Sequence, residues 1–158
     1  MKFSIFHLSL LLMPDKKLES LIYNFLSLQR RIITPVHIHN NFLEEKKSAA
    51  SNALWDTGAS ISAITPRLVK DLCLIPAGTV SIRGVTGSKD VEFVLVTIEL
   101  PFGILRNNLK MAICDFSDDI GIILGMDIIT LGDFKLLHGN DRTIFSFTSP
   151  PKNTLEAL

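Results

Sequence analysis

From residue 32 onward the apolar residues of this chain recur with a period of two, in short runs. Ile33-Thr34-Pro35-Val36-His37-Ile38-His39 alternates as a strand does, and Asn40-Asn41 then turns the chain. Further runs enriched in Val, Ile, Thr and Phe follow at 53–56, 61–64, 79–83, 91–100, 104–114, 120–124, 134–138 and 143–148. Gly, Asn, Asp or Pro punctuates the gaps between them. Residues 44–52, EEKKSAASN, are polar and small and predict an exposed loop. In this half only 66–74 predicts a clear helix, with Thr65 as its cap and Pro66 at the first helical position. Many short strands at even spacing argue for a barrel or a sandwich. The expected fold is mainly β.

Composition agrees with one compact domain. At 158 residues the chain is long enough to bury a sizeable core, and 47% hydrophobic with 20% charged residues argues against disorder. Sixteen Lys and Arg balance sixteen Asp and Glu, which excludes the general phosphate-coating surface that nucleic-acid binding demands. Zero net charge also removes a repulsion that would oppose self-association. Cys73 and Cys114 lack CxxC spacing and are too few for a disulfide scaffold, so they read as small core residues in a reducing compartment.

The N-terminus is a separate problem. Residues 1–13, MKFSIFHLSLLLM, superficially resemble an export signal. The run is broken by Ser4, His7 and Ser9, however, and no small-x-small cleavage site follows. It is also shorter than the roughly 20 apolar residues a bilayer span needs. A weak signal, a short buried strand, or an extension upstream of a true start at Met13 are the readings it allows. Without a working signal the location is cytoplasmic. From Asp15 to Arg30, Leu18, Leu21, Ile22, Phe25 and Leu26 fall on one stripe of a 3.6-residue period. Asp15 suits the helix start and Arg30 and Arg31 suit its end. The expectation is an amphipathic accessory helix packed on its own domain; a membrane-surface or partner-binding helix is the functional alternative. The organisation expected is an extension over 1–32, a domain over 33–150 and a tail over 151–158.

Several chemistries drop out on spacing alone. His37 and His39 share a strand face, but no third ligand with convincing spacing accompanies them, so no metal site is expected. Residues 83–89, RGVTGSK, lack the phosphate-loop spacing and no helix pattern follows them. Neither a GxSxG elbow nor an HExxH pair is present. The glycines of 121–125, GIILG, stand at GxxxG spacing without the apolar surroundings that give it membrane meaning.

One constellation stands out. An apolar strand, Ala53-Leu54-Trp55, runs directly into Asp56-Thr57-Gly58-Ala59-Ser60, and Ile61-Ser62-Ala63-Ile64 forms another apolar strand. A carboxylate at a tight turn between buried strands sits near low dielectric, where ionisation is costly. Gly58 lets backbone approach the acid, and the Thr57 hydroxyl is small enough to be bonded internally. A glycine-bearing tip, Arg83-Gly84-Val85-Thr86-Gly87, follows between two strand patterns, as a mobile hairpin is built. Then Ile120-Gly121-Ile122-Ile123-Leu124-Gly125-Met126-Asp127 supplies an apolar strand that ends in glycine and leads into a short helical stretch.

In that order these features resemble the retropepsin-like aspartic proteases, over roughly residues 33–150. WDTGAS, ITPRLVKDLCLIP, GVTG, IILGMDIITLGDF and RTIFSFTSP carry the likeness, which is closest to single-domain bacterial and retroelement members. The resemblance implies a closed β-barrel with one short helix after Asp-Thr-Gly and another after Ile-Leu-Gly. It implies that Asp56 is catalytic and that Thr57 braces two active-site loops, with Gly58, Ala59 and Ser60 supporting. It makes 83–87 a flap over the substrate, and Ile123, Leu124 and Gly125 the family's apolar-Gly motif. Viral members commonly pair an acid just after the motif with an Arg after the late glycine. Here Ser60 and Met126 hold those places, so no such ion pair supports a dimer.

Acid proteolysis needs two carboxylates sharing a proton, one to help deprotonate a water and one to protonate the substrate carbonyl. This chain has one Asp-Thr-Gly; Asp115, Asp118, Asp119, Asp127, Asp133 and Asp141 lack its context. The second Asp56 therefore comes from a second chain across a two-fold axis. The expected protein is an endopeptidase homodimer acting on polypeptides, with no metal or organic cofactor, no nucleic acid and no membrane as partner. A dimeric peptide-binding or scaffold domain without useful catalysis is the rival, and a membrane-associated regulator working through 1–30 is a third reading. Arg83, Ile82, Ile104 and Ile122 are the candidate pocket residues.

Overall fold

The computed structural model describes residues 19–84, 87–116 and 119–151. Among them, β2 (Ile32–Asn40), β3 (Lys47–Trp55), β4 (Ala63–Ile64), β6 (Gly87–Leu100), β7 (Ile104–Ile113) and β8 (Ile122–Leu124) form a ring of neighbours in the order β2-β3-β8-β4-β7-β6. The ring closes because β2 also pairs β6, with His37 opposite Glu99, Ile38 opposite Ile98 and His39 opposite Thr97. A closed barrel has no free edge around its circumference. β5 (Gly78–Gly84) lies outside the ring as the outer arm of a hairpin with β6.

Alternation fills the interior. Ile32, Thr34, Val36, Ile38 and Asn40 of β2 are buried at every second position, as are Val94, Val96, Ile98 and Leu100 of β6. The register between β6 and β7 shifts at Val96/Ile98, and Thr97 is buried there as well. A bulge of this kind bends and twists the strand, which helps a sheet curl shut.

A second sheet of three strands, ordered β1-β10-β9, packs against the barrel. Its members are β1 (Glu19–Phe25), β9 (Asp133–Gly139) and β10 (Arg142–Ser149). Phe145 and Phe147 of β10 are fully buried. Their rings lie 5.1 and 4.9 Å from Trp55 at tilted angles, and Phe134 joins the cluster at 5.9 Å, in the offset geometry aromatic rings prefer. The Trp55 indole N–H donates to Thr34 Oγ1 at 3.0 Å. Two sheets thus meet on the residue immediately before Asp56.

Two expectations are corrected. Residues 19–25 form strand β1 and not part of an amphipathic helix; residues 15–18 lie outside the described residues. β1 pairs β10 antiparallel along its whole length, Glu19 opposite Ser149 through Phe25 opposite Thr143. Leu21 is buried, whereas Ile22 and Leu26 of the supposed stripe point to solvent. The expected loop over 44–52 is likewise shorter, because β3 begins at Lys47 and pairs β2 from Asn40 onward. Its outer half is exposed and small, which imitates a loop in composition.

The two helices are short. α1 (Pro66–Asp71) starts at Pro66 as expected, but the extended Thr65 makes no side-chain cap. The helix stops before 74, and Cys73 sits in the left-handed region at φ 50. α2 (Met126–Ile129) follows β8 directly.

Candidate active site

β3 and β8 run parallel, with Ala53 opposite Ile122, Leu54 opposite Ile123 and Trp55 opposite Leu124. This register brings the end of the first apolar strand beside the Ile-Leu-Gly strand. The Asp56 amide donates to the Leu124 carbonyl at 2.9 Å, and the Met126 amide donates to the Ala59 carbonyl at 2.8 Å. The turn between them is therefore held at both ends by β8 and α2.

Inside the turn, the Gly58 amide donates to Asp56 Oδ1 at 2.8 Å and the Ala59 amide to the Asp56 carbonyl at 3.2 Å. A Cβ on residue 58 would lie 3.1 Å from Asp56 Oδ1, so glycine leaves the carboxylate its close approach to backbone. Asp56 is half-buried, while Thr57, Gly58 and Ser60 are exposed. Exposure of Thr57 differs from the internal bonding expected within one chain.

Asp56 opens onto a cavity of about 250 Å³. Ile61, Ala63, Ile82, Ala112 and Ile123 give it an apolar wall, and Gly58, Ala59, Ser60, Arg83 and Cys114 complete it. Asp56 is the one carboxylate among these lining residues. Burial pushes the Cys114 thiol up from its ordinary value, and the Lys89 ammonium partly opposes that shift.

The β5–β6 hairpin contributes Ile82 and Arg83 to the lining of this cavity. Its register carries to the tip, Arg83 opposite Ser88 and Gly84 opposite Gly87. Val85 and Thr86 lie outside the described residues. Gly84 and Gly87 were both expected to lend freedom. Gly87 has φ +118, a conformation L residues rarely adopt, whereas Gly84 has no such requirement. Neither glycine has another atom within 4 Å of where a Cβ would stand.

Of the four candidate pocket residues, Ile82 and Arg83 line the cavity. Ile104 and Ile122 are instead fully buried in the core. Ile123 takes the place expected of Ile122, because along β8 the odd residue faces outward and its neighbours Ile122 and Leu124 face inward. Cys73 and Cys114 are not the core residues expected: Cys73 is exposed and Cys114, half-buried, lines this cavity, as does Ala112, for which the sequence suggested no role. Nothing in the local sequence marks Ala112 or Cys114, since they arrive through the pairing of β4 with β7.

The sequence alone assigns no site role to Ser62 or Asp127. Asp127 Oδ2 accepts the Ser62 amide at 2.9 Å and Oδ1 accepts the Ser62 hydroxyl at 2.7 Å. His37 and His39 face Glu99, with His39 Nε2 at 3.3 Å from its carboxylate. No group of three potential metal ligands occurs among the described residues, and no helix among them is long and apolar enough to cross a membrane.

Comparison with known proteins agrees with this geometry. A family model described as aspartyl protease matches residues 44–128, from the Asp-Thr-Gly side of the barrel through β8 into α2. The chain belongs to the aspartyl protease family, and its fold is retropepsin-like. A crystal structure of a retropepsin-like aspartic protease from Rickettsia conorii superposes with a TM-score of 0.54 at 16% identity, covering 87% of this chain and 99% of that one. The solution structure of Simian Foamy Virus (mac) protease matches with a TM-score of 0.40 at 16% identity, covering 61% of this chain and 91% of that one. No curated protein matches the chain significantly.

Proposed function

We propose that the protein is an aspartic endopeptidase, active as a homodimer in which each chain contributes one Asp56. The carrying observation is the Asp56 carboxyl group, held at a two-ended turn on the wall of an apolar cavity that the β5–β6 hairpin also lines. A peptide lies in that cavity as an extended strand, with its apolar side chains against Ile61, Ala63, Ile82 and Ile123.

Hydrolysis needs a base and an acid at the same carbonyl. One carboxylate takes a proton from the attacking water while a second, carrying the shared proton, gives it to the carbonyl oxygen. Two carboxylates about 3 Å apart cannot both ionise, so a pair naturally offers one of each. A single chain offers one carboxylate, Asp56, among the residues that line its cavity. Thr57, exposed beside it, lies where a second copy meets the first and braces the two turns. Because no Asp–Arg pair is available from Ser60 and Met126, that dimer is held by other contacts and is weaker than an ion-paired one.

The test is cleavage of a random peptide mixture at several pH values by wild type and by Asp56→Asn. The amide is nearly isosteric and removes the ionisable group from both halves of the pair. Turnover is expected to fall by about 10⁴-fold while circular dichroism shows an unchanged fold. Equal activity in the two proteins would sink the assignment. A folded wild type that binds peptides without cleaving them would instead favour the scaffold reading. Specific activity should also fall on dilution, with rate approaching the square of enzyme concentration below the dimer dissociation constant. Full specific activity where light scattering shows only a 17.5 kDa monomer would exclude a shared pair.

A further inference from the structure

We propose that Asp127 is a positioning residue for Asp56, acting through Ser62; the inference rests on the catalytic reading of Asp56 given above. Asp127 stands on the first turn of α2 and does not line the Asp56 cavity. Ser62 does not line it either, although its neighbours Ile61 and Ala63 do. Neither residue therefore touches substrate in that cavity.

What they touch is the exit of the Asp56 turn. Asp127 accepts three hydrogens, the Ser62 amide on Oδ2 and both the Ser62 hydroxyl and the Ile128 amide on Oδ1. Ser62 has no exposed surface, and its hydroxyl oxygen also accepts the Gly125 amide at 3.1 Å. Its carbonyl accepts the Ala112 amide at 2.9 Å, which ties the same residue to β7. At Gly125 a Cβ would come within 2.8 Å of the Ala59 carbonyl oxygen and of the Ile61 carbonyl carbon. The turn and the β8–α2 junction are thus in direct backbone contact, and the Ser62–Asp127 pair locks that contact beyond the bonds at Asp56 and Met126.

The chemistry of the pair makes a carboxylate specific. With Asn at 127, an amide NH2 in the Oδ2 place faces the Ser62 N–H, donor against donor. In the Oδ1 place it faces the Ile128 N–H, and the Ser62 hydroxyl hydrogen loses its acceptor. Either orientation leaves a buried donor unmade, which loosens the exit of the turn. The Asp56 carboxyl then departs from the position the paired acid and base steps need, while every side chain that lines the cavity is unchanged.

The experiment compares full-length wild type, Asp127→Asn and Ser62→Ala. It measures kcat and KM on a peptide that wild type cleaves, the thermal midpoint, and hydrogen exchange at the Asp56 and Met126 amides. The expected result is a ten- to hundredfold fall in kcat, a KM within about twofold of wild type, and faster exchange at both amides, in proteins that remain folded. Equal loss in KM and kcat, or unchanged kcat and exchange in a folded variant, would overturn the proposal. Should Asp127→Asn fail to fold, Ser62→Ala keeps the carboxylate and decides by the same criteria. Faster exchange in the variants of a wild type that cleaves nothing would leave the clamp standing and remove the peptidase reading, so the two failures are told apart.

Discussion

The Asp56 turn and the β5–β6 hairpin face the same cavity and are built in opposite ways. At the turn, backbone bonds from Asp56 and Met126, the Ser62–Asp127 pair and direct backbone contact at Gly125 leave no room for an added methyl group. At the hairpin tip, Gly84 and Gly87 have open space around them, and a 3.5 Å contact from Arg83 to Ser88 bridges the strands. On the proposed reading, precision is concentrated where a carboxyl group must hold still, and slack where a peptide would enter. Preorganisation of the reacting group and mobility of the cover are separate requirements, and the fold meets them on separate strands.

Glycine substitution is the sharpest way to break this contrast. Gly125→Ala drives a Cβ into backbone at 2.8 Å, and backbone cannot step aside as a side chain can. We expect a loss of about 3 kcal/mol, read by urea denaturation, with activity lost alongside it. A stability within 0.5 kcal/mol of wild type, a difference treated as about zero for surface changes, would show that the turn is not clamped.

Gly87→Val asks the opposite question. A valine is strained at φ +118 but has no neighbour to strike, so the tip rearranges locally at about 1 kcal/mol. Turnover should slow several-fold while the melting temperature moves little. A variant that fails to fold would make the tip a structural corner and end its reading as a flap.

The smallest expected effect concerns Cys114, at the base of the same cavity. Its thiol is raised by burial, so at a given pH it holds less reactive thiolate than an ordinary cysteine and alkylates more slowly. Lys89 opposes that shift, so Lys89→Gln should raise the thiol further and slow alkylation by about twofold. Alkylation should recover as pH rises, since more thiolate forms. Mass spectrometry over time resolves Cys114 from the exposed Cys73, and faster labelling of Cys114 in the variant would reverse the assigned sign.

The same division governs how much the residues disclose on reading. Asp56-Thr57-Gly58 and Ile123-Leu124-Gly125 are legible because strand, turn and glycine lie within one short stretch and each constrains backbone locally. Ser62 and Asp127 are not, since an ordinary serine and aspartate gain meaning only when β4 and β8 lie side by side. β1 shows the limit most plainly. Leu18, Leu21, Ile22, Phe25 and Leu26 satisfy a helical period, yet Leu21, Tyr23 and Phe25 also alternate. The choice is made by pairing with β10, a partner more than a hundred residues away, and such pairing overrides local preference. The start of β3 is hidden for a related reason, since Lys47 is charged and Ser48, Ala49, Ala50 and Ser51 are small, so no apolar or β-branched side chain marks it as a strand.

The parallel pairing of β3 with β8 also sets a schedule. Asp56 is synthesised well before Leu124, Gly125 and Asp127 exist to fasten it, and at roughly 5–20 residues per second the delay is about 3 to 14 seconds. Contacts of such long sequence separation form late and together. A nascent or half-folded chain consequently carries the aspartate without its frame. The barrel's own topology thus leaves the carboxyl group without its frame until β8 and α2 have emerged.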